Sequence, residues 1–74
     1  MAHDGGMREI ETRDGEIRLG QFLKLADAVE LGSDVKLLLA EGTLLVNGKP
    51  EDRRGRQLVR GDVVTVRGDQ FRVI

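Results

Sequence analysis

Gly32-Ser33-Asp34-Val35-Lys36-Leu37-Leu38-Leu39-Ala40-Glu41-Gly42-Thr43-Leu44-Leu45-Val46-Asn47-Gly48 is the stretch that decides the fold. Its first half has helical spacing: Val35, Leu38 and Leu39 make one apolar stripe, and Gly42 follows as a stop. Ser33 offers a hydroxyl as N-cap, and Asp34 in the first turn suits the positive end of the helix dipole. The second half changes period. Thr43 to Val46 is apolar and β-prone, and Asn47-Gly48 favours a two-residue hairpin turn because both residues tolerate positive φ.

The same logic extends outward. Before this stretch, Leu19, Phe22, Leu23 and Ala26 follow the i, i+3, i+4, i+7 pattern of an amphipathic helix. Val29 and Leu31 prolong its apolar content, and Gly32 is placed to stop it. Earlier still, Met7 to Arg13 alternates, Asp14-Gly15 is a turn signal and Glu16-Ile17 can return from it, which predicts a short hairpin or an extended arm. Beyond Gly48, Pro50 confines its neighbourhood to a sheet edge or a loop. Gln57 to Val59, Val63 to Arg67 and Gln70 to Ile74 are short β-prone runs separated by Gly61-Asp62 and Gly68-Asp69. The expected fold is α+β, with two short helices packed on a small, mostly antiparallel sheet of three to five short strands. Residues 1–6, small, polar and Gly-rich, are expected to be a flexible N-terminus, and residues 7–74 a single domain.

A chain of 74 residues without cysteine has neither disulfides nor thiolate metal ligands to brace it. The N-terminus has no apolar stretch resembling a signal peptide, and no run approaches the roughly 20 apolar residues that span a bilayer. The expected setting is the cytoplasm, with no membrane contact. The net charge of −1 hides an asymmetry. Residues 1–17 hold two basic and five acidic side chains, a net of −3, whereas residues 18–74 hold ten basic and eight acidic, a net of +2. In 49–60, Lys49, Arg53, Arg54, Arg56 and Arg60 face only Glu51 and Asp52. Electrostatic recognition depends on such local fields more than on the total.

Catalysis finds little support. His3 is the one histidine and sits in the N-terminal segment without a fixed partner. Ser33 has no neighbouring histidine and is taken up by capping. Asp27 with Glu30, or Glu51 with Asp52, read as solvated acids. No metal-binding loop and no Gly-rich phosphate loop is present. Arg60-Gly61-Asp62 and Arg67-Gly68-Asp69 are turns between strands. The expectation is therefore no enzyme, no cofactor, no metal and no small-molecule substrate.

Arg53-Arg54-Gly55-Arg56 stands out instead. Three guanidinium groups in four residues repel one another, so they bring the free protein no evident gain, whereas arginine suits bidentate phosphate contacts. Lys24 and Lys36 avoid the two apolar stripes and can face solvent. Ser33 and the open N–H groups of the second helix add an anion site close to Lys36. Two phenylalanines and no tyrosine or tryptophan leave little to stack on splayed bases, which favours RNA recognised by backbone and shape.

Arg18-Leu19-Gly20-Gln21-Phe22-Leu23-Lys24, Gly32 to Lys36, Glu41 to Lys49, Arg53 to Leu58 and Gly61-Asp62-Val63-Val64 follow one another in order. Together they resemble the RNA-binding domain of the ribosomal protein S-four type, with its αL motif, in a small stand-alone bacterial branch. The resemblance covers about residues 17–74. It implies binding of structured RNA, ribosomal or transfer RNA, and contact with the ribosome. By position it places Arg18, Gln21 and Lys24 on the first helix and Ser33 and Lys36 at the start of the second, with Lys49, Arg53, Arg54 and Arg56 completing the surface. The alternative is a protein-interaction module that docks on an acidic ribosome-associated partner.

Overall fold

Asn47 and Gly48 take φ values of 53° and 82°, and this left-handed pair closes a two-residue turn. It joins β3 (Leu45–Val46) to β4 (Lys49–Pro50), with Val46 opposite Lys49 and Leu45 opposite Pro50. Pro50, which has no N–H to donate, lies on an edge strand. The computed structural model describes residues 7–29 and 31–74. The flexible segment expected over residues 1–6, His3 included, lies outside them.

Among the described residues the remaining elements are β1 (Arg8–Ile10), β2 (Glu16–Arg18), α1 (Leu19–Leu25), α2 (Gly32–Ala40), β5 (Gln57–Val59), β6 (Val63–Val66) and β7 (Asp69–Val73). The fold is α+β as expected, but richer in strands. Five of them form a sheet in the order β1-β7-β6-β3-β4, and β2 and β5 form a separate antiparallel pair. The large sheet is mixed, because β1 runs parallel to β7, with Arg8 opposite Phe71 and Ile10 opposite Val73.

The N-terminal hairpin does not form. Asp14-Gly15 turns the chain, with Gly15 at φ 72°, but it carries the backbone from one sheet to the other. The first segment is tied to the C-terminus: Thr12 donates its N–H and hydroxyl to the Ile74 carbonyl at 2.8 and 3.0 Å, and Ile74 donates to the Ile10 carbonyl at 3.0 Å. Ile17 instead pairs with Leu58. Two three-residue strands gain more from separate buried partners than from each other.

Helix boundaries also move. α1 ends near Ala26, because Asp27 adopts φ 62° and Ala28 donates back to the Leu23 carbonyl at 2.9 Å. Val29 therefore belongs to a loop that packs on the core from outside the helix. Gly32 opens α2 instead of ending α1, and Leu31 occupies the N-cap. Ser33 is thus inside the first turn. Asp34 does the capping, accepting the Leu31 N–H at 3.2 Å. Asp34→Ala should cost about 0.5–1 kcal/mol in thermal unfolding, whereas Ser33→Ala should be close to neutral. Gly42, at φ 77°, ends α2 as the sequence suggests.

The core joins Leu19, Phe22 and Leu23 of α1 to Val35, Leu38 and Leu39 of α2, and both helices to Val46, Leu58, Val64, Phe71 and Val73 of the sheets. Phe22 meets Phe71 edge to face, with centroids 6.5 Å apart. Both phenylalanines are buried, so no aromatic ring among the described residues is free to stack.

Candidate nucleic-acid interface

The first N–H groups of a helix need partners outside it, and in α1 the arginine loop supplies them. Leu19 donates to the Arg56 carbonyl and Gly20 to the Arg54 carbonyl, each at 2.8 Å. Arg18, the last residue of β2 and N-cap of α1, donates its Nη1 to the Gly55 carbonyl at 2.9 Å. A Cβ at Gly20 would lie 3.4 Å from the Arg54 carbonyl oxygen, an ordinary van der Waals contact, so the loop packs closely on α1 without requiring glycine there. The family resemblance placed Arg18 on the first helix; in the structure it clamps the loop from the strand that precedes it.

Docking fixes Arg54 beside α2. Arg54 and Lys36 line one open concavity with Leu39, Ala40, Gly42 and Asp52. Ser33 is exposed, three residues before Lys36 and so on the same side of α2. Gln21 and Lys24 line a second groove with Arg13, Glu16, Ile17 and Leu25. Lys49 is exposed on edge strand β4 and lines neither of them. The structure therefore brings Arg54 and Lys36 to one concavity and Arg18 to the loop itself, places Gln21 and Lys24 together in a second groove, and leaves Lys49 in neither.

Arg53 and Arg56 behave differently from the sequence expectation. Glu51, 8% exposed, is one of two polar residues buried among those described. Its Oε2 accepts from the Arg53 backbone N–H at 3.1 Å and from Arg53 Nε at 3.0 Å, and its Oε1 accepts from Arg56 Nη1 at 2.8 Å. These hydrogen bonds, Arg53 first and Arg56 second, hold the Glu51 carboxyl down at about 2. The free protein does gain from the cluster, because two of its three arginines neutralise a buried carboxylate. Arg54 makes no ion pair among the described residues. The Glu51, Arg53, Arg56 spacing, within reach of a single turn, is the signal that could have revealed this. Arg13 is a second residue the sequence left unmarked, since only the fold brings it to Gln21 and Lys24.

Among the described residues, no helix is long and apolar enough to cross a membrane. Comparison with known proteins agrees with the geometry. The family model for the S4 domain matches residues 10–74. The chain is also 51% identical over 59 residues to the probable ribosome maturation protein RlbA of Bacillus subtilis (strain 168), covering 78% of this chain and 83% of that relative. With its helix pair, its docked arginine loop and a family match over nearly its whole length, the chain belongs to the S4 domain family.

Proposed function

We propose that this protein is a non-catalytic module that binds structured ribosomal RNA, with transfer RNA as the second candidate ligand, and that it acts on the ribosome or its precursors. The observation that carries this reading is the placement of Arg54 next to Lys36 by a loop hydrogen-bonded to the start of α1. Two cations on different elements share a concavity, which suits the phosphates of a folded RNA backbone. Arg18, which holds the loop at Gly55, Ser33, one turn before Lys36 on α2, and Gln21 and Lys24 in a second groove would supply further contacts. Among the described residues no aromatic ring is exposed, which favours shape and backbone recognition over base stacking. The name of the Bacillus relative is consistent with a ribosomal substrate.

Titrating the protein against labelled ribosomal RNA fragments, transfer RNA and poly(U) at increasing salt tests the reading. Contacts to about five phosphates give a log-log slope of roughly −3.5 to −4.5, with ribosomal RNA bound tighter than poly(U). A slope near zero, or a ribosome-associated complex that survives nuclease, would instead favour docking on an acidic protein.

A further inference from the structure

Glu51 presents a paradox for a phosphate-binding loop. A carboxylate within it lowers the attraction for RNA, and burial of that carboxylate carries a desolvation cost. Its geometry shows what it provides in return. Arg53 is gripped by its Nε edge, at 3.0 Å to Oε2, with Nη2 3.5 Å from Oε1. The Arg53 backbone N–H is held by the same carboxylate, and the loop closes through an Arg56 N–H to Arg53 carbonyl bond at 3.1 Å. Yet the Arg53 side chain remains 73% exposed, against 32% for Arg56 and 7% for Glu51. A planar guanidinium held along one edge offers the N–H groups of its opposite edge to solvent in a fixed direction.

We propose that Glu51 is a positioning residue that pre-orients Arg53 for an RNA phosphate and keeps the loop in the shape that docks Arg54 beside Lys36. The inference rests on the RNA-binding reading above. Free arginine side chains lose most of their rotamer freedom on binding, and one already held by a carboxylate has less to lose. Arg56, the more enclosed partner, serves mainly to satisfy the second oxygen of Glu51.

Charge and positioning predict opposite signs for one substitution. Glu51→Gln removes a negative charge from the interface while retaining the shape and one acceptor, so electrostatics alone makes RNA bind tighter. Positioning makes a structured ribosomal RNA fragment bind about five- to tenfold weaker, with an unchanged salt slope because no phosphate contact is deleted. Binding to poly(U), which requires no fixed geometry, should stay level or strengthen. Arg53→Lys gives an independent arm that leaves Glu51 and the net charge intact: the lysine lacks the fork, so affinity for the structured fragment should fall similarly. Both measurements belong well below the melting temperature, checked by circular dichroism. Weaker structured-RNA binding in both variants supports the inference. Wild-type or tighter binding in either variant overturns it and leaves the RNA-binding reading standing, whereas a wild-type protein that binds no RNA overturns both.

Discussion

Replacing Lys36 and Arg54 together with alanine should lower affinity for ribosomal RNA roughly 30-fold near 0.1 M salt, at about 1 kcal/mol for each lost phosphate contact. Both side chains are exposed, and neither forms an ion pair among the described residues, so nothing in the fold depends on their charge. Stability should change by no more than about 0.5 kcal/mol. The salt slope should become shallower by about 1.4–1.8, the share of two phosphates. Binding and stability thus separate cleanly in this variant. Fluorescence anisotropy across a salt series, beside a thermal melt, reads both. Undiminished affinity would remove the α2 side from the interface.

Arg53→Ala combined with Arg56→Ala should do the reverse and unsettle the fold itself. Glu51 would keep its buried position and lose both cationic partners, at a cost of about 2–3 kcal/mol, below the range for fully buried pairs because Arg53 is open to solvent. In a domain of this size that lowers the melting temperature by roughly 10–20 °C. The pH dependence identifies the cause. Glu51 titrates at about 2 in the folded protein, below its ordinary 4.5, so its paired state stabilises the native protein fully above about pH 4.5. That contribution disappears as pH falls from 4.5 through about 2. The double variant has no such contribution to lose. The stability gap between the two proteins should therefore be full at pH 7 and narrow strongly by pH 3. A gap of equal size at both pH values would mean that the arginines stabilise by packing alone. Weakened RNA binding in this variant would confound two effects, which is why Lys36 with Arg54 is the cleaner test of the interface.

Much of this architecture is legible locally. Asn47-Gly48 and Gly42 mark their turn and helix end because their backbone conformations are demanding and few residues accept them. The apolar stripes of the two helices identify Leu19, Phe22, Val35 and Leu38 as core, since helical spacing translates directly into burial. What escapes the sequence is long-range or shared. β1 has three residues and no register of its own; its partner lies at the opposite end of the chain. The true end of α1 depends on Asp27 accepting a left-handed conformation, a property that composition does not announce. Ser33 and Asp34 are both credible caps, and the choice between them rests on where the chain enters α2. The arginine loop shows the same limit. Its charge is plain in the sequence, but its division into Arg53 and Arg56, which serve Glu51, and Arg54, which faces α2, exists only after folding.

The most direct test of the proposed interface is a residue-resolved NMR titration with a structured ribosomal RNA fragment. Amide shifts should concentrate at Gly20, Gln21, Lys36, Arg54 and Gly55, the residues at which α1, α2 and the arginine loop meet. Shifts confined to the β1–β7 side of the sheet, with these five amides unmoved at saturation, would contradict it.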